Sequence, residues 1–323
     1  SRSSFVMRIL VTGGTGYIGA TAVEVLLGQG FEVSILDDCS MGHADTVPAG
    51  VRFIQGSLLN ASEVAEALTG CEAVMHFAGK SLVGESVEKP DLYHSVNVDG
   101  TQILLDEMRK QSITKIVFSS SAATYGEPKV VPILETAETN PTNPYGATKL
   151  AIDHMITKEA SEHGISAASL RYFNVAGALK ANRGWLAERH NPETHLIPNV
   201  LRSTDANPVK IFGTDWPTAD GTCIRDYVHV IDLIDAHIKA LNSLGAAGHE
   251  IYNLGSGSGY SVREVVKAAS DAIGHQIPYL DSPRRAGDPA VLIADISKAK
   301  RMLDWSPTRD MTTMVADTLN SMA

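Results

Sequence analysis

The sequence predicts an α/β protein in which a Rossmann-type, doubly wound parallel sheet is joined to a smaller mixed α/β domain. Three observations carry that prediction. A short apolar, branched run (MRILV, 7–11) leads straight into TGGTGYIG at 12–19, and helical periodicity follows through Val25 and Leu26. Strand-like and helix-like segments then alternate, the pattern of parallel βαβ units. Beyond Tyr172 the alternation breaks, and Asn, Pro, Gly and charged residues take over. The expected division is 7–175, with a return segment near 226–254, and an interleaved 176–323.

In the first motif Gly13, Gly16 and Gly19 are spaced three and three between a strand and a helix. Glycine permits the tight turn and lets backbone approach a pyrophosphate, while the helix N-terminus offers N–H groups and positive dipole. The next strand, 31–36, ends at Asp37 and Asp38; Asp37 lies 18 residues past Gly19. A carboxylate there accepts hydrogen bonds from a ribose 2′-OH and repels a 2′-phosphate, so NAD is expected over NADP.

A strand at 51–55, a helix at 62–68 with Ser62 as N-cap and a strand at 73–77 follow. His76 lies within that last strand and reads as a core histidine. Helical periodicity runs over 92–110, and a strand at 113–118 delivers Ser119, Ser120 and Ser121. Pro144 opens a helix running to about residue 163. Further on, 231–241 and 262–273 read as helices and 251–254 as a strand.

Tyr145 and Lys149 stand four apart in the helix that Pro144 opens, so they share one face. An ammonium beside a phenol favours the phenolate and lowers its pKa, which suits proton abstraction from a sugar hydroxyl. Ser121, from the preceding strand end, is placed to hydrogen-bond the same hydroxyl. A Tyr-x-x-x-Lys pair alone also occurs on solvated helix faces; the glycine turn and serine run give this one its context.

Lys and Arg number 27 against 37 Asp and Glu, which argues against a nucleic-acid or polyanionic-membrane partner. Cys39, Cys71 and Cys223 show no paired spacing, as suits a reducing, cytoplasmic compartment, and indicate neither a metal site nor a disulfide framework. No apolar run approaches the roughly 18 residues that span a bilayer. Residues 1–6 read as a flexible extension or cloning remnant, not a signal peptide.

TGGTGYIG at 12–19, HFAGKSLVGES at 76–86, SSSAATYGEP at 119–128, NPYGATK at 143–149, LRYFNVAGA at 170–178, DGTCIRDYVHV at 220–230 and RRAGDP at 284–289 together resemble the extended short-chain dehydrogenase/reductases. Within that superfamily they resemble the UDP-glucose 4-epimerases (UDP-galactose 4-epimerases). The resemblance implies an isomerase of carbohydrate metabolism that keeps NAD bound through turnover. Tyr145 would take the 4-OH proton while the C4 hydride passes to the nicotinamide. The 4-keto sugar then turns its other face and hydride returns. Lys149 would hold the nicotinamide ribose and depress the tyrosine pKa, and Ser121 would bridge the 4-oxygen and the phenol.

The resemblance further implies cofactor contacts from Gly13, Gly16, Tyr17, Ile18, Asp37, Asp38, Ser57, Leu58, Phe77, Ala78, Gly79, Asn97, Ser119, Tyr145, Lys149 and Tyr172. For the UDP-sugar it implies Ser121, Asn174, His195 and Leu196, with Phe212 facing uracil, Arg225 and Arg285 on the diphosphate and Asp288 on the uridine ribose. Residues 178–198 read as a loop-rich insertion over the ligand, and 209–212 as an extended edge. Homodimerisation through the helices near 92–110 and 144–163 is implied as well.

Three positions depart from the family's pattern. Lys80 follows its glycine directly where some members carry the lysine one residue later, so it is not counted as a cofactor contact. His195 replaces an asparagine common beside the diphosphate but still donates a hydrogen bond. Leu292 falls where side-chain bulk limits room at the sugar 2-substituent, favouring UDP-glucose and UDP-galactose over N-acetyl sugars. A 4,6-dehydratase would need an acidic pair where Ala122 and Ala123 follow Ser121. A UDP-N-acetylhexosamine or uronate 4-epimerase remains open, as does an NAD-sensing regulator, though the latter has no need of Ser121, Tyr145 and Lys149 together.

Overall fold

The computed structural model describes residues 6–40, 42–79, 83–182, 184–188 and 195–323. Lys80, residues 1–5 and all of 189–194 within the expected insertion lie outside the described residues. The chain runs β1 (Arg8–Thr12), α1 (Tyr17–Gly28), β2 (Glu32–Asp37), β3 (Arg52–Gln55), α2 (Ala61–Leu68) and β4 (Ala73–His76). It continues through α3 (Val83–Glu88), α4 (Pro90–Tyr93), α5 (Gly100–Lys110), β5 (Lys115–Ser119), α6 (Pro144–His163) and β6 (Ser166–Tyr172). Then come β7 (Asn174–Ala176), β8 (Leu179–Ala181), β9 (Gly184–Leu186), α7 (Leu196–Leu201), β10 (Val209–Phe212), β11 (Ile224–Arg225) and β12 (Tyr227–His229). The last elements are α8 (Val230–Ser243), β13 (Gly248–Leu254), β14 (Tyr260–Ser261), α9 (Val262–Ile273), β15 (Tyr279–Ser282), α10 (Ser297–Leu303) and α11 (Met311–Ser321).

Two compact units result. The first gathers the described residues up to Gly126 with Glu138–Arg171 and Ile234–Tyr252. Its sheet is ordered β13-β6-β5-β4-β1-β2-β3, and the pairings from β3 through β6 are all parallel. That is a doubly wound order with its reversal between β1 and β4, where ligands bind such sheets at the carboxyl strand ends. The strands buried on both faces are rich in apolar residues: Leu10, Leu36, Val74, Ile116 and Phe118 pack against Leu104, Leu105 and Met108 of α5 and Ile152 and Ile156 of α6.

The second unit holds the described residues of Glu127–Ala137, Tyr172–Leu233 and Asn253–Ala323. It carries four two-stranded pieces, β7 with β12 and β10 with β15 parallel, β8 with β9 and β11 with β14 antiparallel. Its core is helical: Val265, Val266 and Ala269 of α9 meet Met311, Met314 and Val315 of α11 and Ile197, Val200 and Leu201 of α7. A Ser261–Glu264 capping box starts α9.

Three local expectations are corrected. The cap of α2 is Asn60, whose side chain accepts from Ser62 N and Glu63 N, so the helix begins before Ser62. The helix expected over 92–110 is interrupted by a widened, π-type turn at His94–Asp99, next to the point where Thr101 Oγ1 donates to the Asn97 carbonyl at 2.6 Å. In the expected insertion, the β8–β9 hairpin occupies the start and α7 begins at Leu196. There the antiparallel register Leu179–Leu186 satisfies backbone groups that a loop would leave to water.

Candidate active site

At the end of β5 the chain turns through Ser119, Ser120 and Ser121, all buried. Ser121 opens a short turn, its Oγ accepting from Ala123 N at 3.0 Å. Opposite stands the first turn of α6, started by Asn143, whose side chain accepts from Gly146 N at 2.8 Å, with Pro144 as its first residue. Gly146 lets the two elements meet. A Cβ there would lie 2.6 Å from the Ala123 carbonyl oxygen, closer than side chains tolerate.

This approach brings the Tyr145 phenol into hydrogen-bonding contact with the Ser121 side chain. One turn on, Lys149 is buried; its Nζ donates to the Ser119 carbonyl at 2.9 Å and lies 5.8 Å from the Tyr145 ring centre and 4.9 Å from that of Phe118. Burial lowers its pKa to about 8, against which Asp153 raises it. The expectation of a depressed Tyr145 pKa is corrected here. Burial pushes the phenol above its ordinary value, and only the Ser121 hydrogen bond pulls it down. Desolvation of the anion outweighs the stabilising contacts, and the same desolvation weakens the lysine cation.

At the other end of the site, Gly13 adopts φ +74°, and a Cβ there would fall 2.8 Å from Ala78 N. Neither a side-chain cap nor an acidic residue occupies the first turn of α1, where Tyr17 and Ile18 are half-buried. An uncapped, acid-free helix start behind a glycine turn fits a dinucleotide pyrophosphate. Asp37 Oδ2 accepts from Thr15 N and Thr15 Oγ1 at 2.9 and 2.6 Å, and Oδ1 from Cys39 N at 2.8 Å, so the carboxylate also braces the glycine turn. Asp38 is exposed and accepts from Ser40 N.

The remaining expected cofactor contacts in this unit come from three segments. Phe77, Ala78 and Gly79 follow β4: Ala78 N donates to Thr12 Oγ1, and the Phe77 ring stacks 4.9 Å from that of His237. Asn97 is buried and donates to Thr148 Oγ1 at 3.2 Å. Leu58 points into the hydrophobic core, so its backbone alone is left for a ligand, while Ser57 Oγ accepts from Leu59 N. Among the described residues no cluster of His, Cys, Asp or Glu is arranged to hold a metal ion.

In the second unit Tyr172 is half-buried at the end of β6, and Asn174 donates to the Asp226 carbonyl at 3.2 Å. Three expected substrate residues form one set: Arg285 donates to Asp288 Oδ2 at 2.9 Å, and its guanidinium lies 4.5 Å from the centre of the Phe212 ring. Arg225 donates to the carbonyls of Ile224 and Pro289 at 2.8 and 2.9 Å. His195 precedes Leu196 at the start of α7, its Nδ1 3.7 Å from Glu188 Oε2. Leu292 is half-buried, and its N–H donates to the Ile224 carbonyl.

Sequence reasoning missed the residues that support this geometry. Ser86 Oγ accepts from Tyr145 N at 3.1 Å, and nothing in its surroundings in sequence signals that role. Asp153 accepts from Ser120 Oγ at 3.0 Å and from Arg171 Nε and Nη2. For Asp153 a signal existed, since four residues past Lys149 puts it on the same helix face.

A family described as NAD dependent epimerase/dehydratase matches residues 9–255. The UDP-glucose 4-epimerase of Corynebacterium glutamicum is 52% identical over 314 residues, which cover 96% of this chain and 94% of that protein. The crystal structure of UDP-glucose 4-epimerase from Brucella ovis in complex with NAD superposes with a TM-score of 0.91 at 39% identity, covering 97% of this chain and 98% of that one. The Bifidobacterium longum UDP-glucose 4-epimerase, solved with NAD+ and UDP, gives a TM-score of 0.88 at 36% identity, covering 98% of each chain.

Proposed function

Because the chain belongs to the NAD dependent epimerase/dehydratase family, we propose that it interconverts UDP-galactose and UDP-glucose by transient oxidation at sugar C4. The observation that carries this reading is the meeting of the Ser121 hydroxyl, the Tyr145 phenol and the buried Lys149 ammonium beyond the carboxyl end of a doubly wound sheet. The chemistry that bound NAD would supply here is reversible acceptance of the C4 hydride. The glycine turn at Gly13 and Gly16, the start of α1 and Asp37 hold it.

Tyr145, as phenolate, removes the 4-OH proton while C4 is oxidised and returns it when C4 is reduced on its other face, so the proton balance closes over one cycle. Burial makes the phenolate expensive, so its hydrogen bond from Ser121 matters to the step. Ser121 also steadies the 4-oxygen. Lys149 presents positive charge on the phenol side of the site and is held in place by the Ser119 carbonyl.

The dinucleotide role falls to 7–175 with its return segment, and the UDP-sugar role to 176–323. Arg225 and Arg285 neutralise the diphosphate, which requires Arg285 to exchange Asp288 for phosphate; Phe212 then faces uracil and Asp288 the uridine ribose. Asn174, His195 and Leu196 complete the sugar-nucleotide contacts. The protein acts as a homodimer in the cytoplasm. On α6 Ala147, Leu150, Ala151 and Met155 keep solvent exposure at helical spacing, a face suited to a second copy, and the three cysteines are free.

The test is incubation with UDP-galactose and no added NAD, following UDP-glucose by chromatography, with UDP-N-acetylgalactosamine in parallel. Conversion of the first alone is expected. Conversion of both would remove Leu292 as a size gate. Conversion of neither, with NAD supplied, would overturn the reaction in favour of another nucleotide sugar or a regulator.

A further inference from the structure

Between the glycine turn and α6 runs a line of buried polar groups that the chemistry above does not use. Thr12, His76, Asn97, Thr101 and Thr148 are all buried, and each has a hydrogen-bond partner within the line. The direction of every bond in it can be deduced. Thr101 Oγ1 donates its one hydrogen to the Asn97 carbonyl at 2.6 Å, since a carbonyl only accepts. The 2.9 Å contact between Thr101 Oγ1 and His76 Nε2 must therefore use a hydrogen on Nε2.

At the other ring nitrogen, Thr12 Oγ1 already accepts from Phe77 N and Ala78 N at 3.1 and 3.2 Å. Its own hydrogen goes to His76 Nδ1, 2.6 Å away. The same logic fixes the far end. Thr148 Oγ1 donates to the Tyr145 carbonyl at 2.8 Å, so it accepts from Asn97 Nδ2 at 3.2 Å.

We propose that His76, as its Nε2–H tautomer, is a positioning residue that ties the cofactor-binding turn to the helix carrying Tyr145 through this one directed run of hydrogen bonds. One end holds the Phe77–Ala78 backbone against Gly13, where a Cβ finds no room. The other end reaches the carbonyl of Tyr145 itself. A charged imidazolium would aim a third donor at Thr12 Oγ1, beside Phe77 N and Ala78 N, and leave the threonine hydrogen without an acceptor. The groups facing the ring reinforce this: Lys149 carries positive charge towards it, and the Phe118 ring lies 5.5 Å away. Burial and Lys149 together lower the His76 pKa to about 3.

The test exploits the shapes of two amides. In His76→Asn the amide oxygen stands near Nδ1 and accepts from Thr12, leaving Thr101 without its donor. In His76→Gln the amide nitrogen stands near Nε2 and donates to Thr101, leaving Thr12 without its acceptor. The Asn variant is expected to keep NAD through desalting and to lose about tenfold in kcat; the Gln variant is expected to shed NAD and to recover kcat when NAD is added. Loss of cofactor and turnover in equal proportion in both variants, or no change in either, would overturn the proposal.

A second measurement needs no variant. Nitrogen-15 NMR of the holoenzyme is expected to show one histidine with Nε2 protonated and Nδ1 bare, unchanged from about pH 5 to about pH 9. A His76 that titrates in that range, or carries its proton on Nδ1, would equally overturn it. The proposal rests on the epimerase reading; a wild-type protein without turnover would fail that reading alone, because NMR and cofactor retention need no turnover.

Discussion

Asp153 and Arg171 form an ion pair almost without solvent contact, their side chains 1% and 3% exposed, with Arg171 Nε and Nη2 both donating to Asp153 Oδ2 at 3.0 and 2.9 Å. The same oxygen accepts from Ser120 Oγ, the residue before Ser121. One carboxylate thus fastens α6 to the ends of both β5 and β6. Removing Asp153 leaves the Arg171 charge buried without its carboxylate partner. Asp153→Ala is expected to destabilise the protein by about 3–5 kcal/mol, measured by urea unfolding, and an apolar pair at 153 and 171 to lose less.

Asp153 also sustains the charge on Lys149, raising a pKa that burial has brought to about 8. Asp153→Asn therefore lowers that pKa further, and the lysine loses its proton at lower pH. The alkaline fall of kcat is expected to move towards neutrality by about one pH unit, read from a pH–rate profile at saturating substrate.

Tyr145→Phe keeps the ring and removes the acid–base group. NAD is expected to stay bound, by the absorbance ratio of the purified protein, while turnover of UDP-galactose falls at least about 10²–10⁴-fold. Wild-type-like turnover would take Tyr145 out of its role.

Gly146→Ala places a methyl 2.6 Å from the Ala123 carbonyl oxygen, so α6 must move off the Ser121 turn. A shift of tenths of an ångström separates the hydroxyl from the phenol. The expected result is a fall in kcat of about tenfold, approaching 10² for a full ångström, with the KM for UDP-galactose little changed.

His76 binds its proton more weakly in the folded chain, at about 3 against 6.5 unfolded. Between those values the unfolded state holds more protons, so stability rises with pH and is lost as pH falls below about 6.5. Replacing His76 with Asn or Gln is expected to flatten the dependence of stability on pH in that window by up to about 1.4 kcal/mol per pH unit, measured by urea melts.

What could be read from the sequence was local. The glycine spacing, Asp37 at its strand end and the four-residue step from Tyr145 to Lys149 are short-range patterns that backbone geometry turns directly into position. The supporting contacts were not legible because they join distant segments: Ser86 to Tyr145 across 59 residues, His76 to Thr12 across 64. The sign of the Tyr145 shift was misread for a related reason. A neighbouring cation is visible in the sequence, whereas the depth of burial is set by packing from the whole unit.

The first unit is assembled from three separated stretches, and the seventh strand of its sheet, β13, ends at Leu254. During synthesis, the ribosome must therefore make Tyr172–Leu233 of the other unit before the sheet has its last strand. Until then β6 is an open edge, able to pair with a neighbouring nascent chain. Truncation before Gly248 would lengthen that interval indefinitely, so shortened chains are candidates for aggregation rather than for a smaller working enzyme.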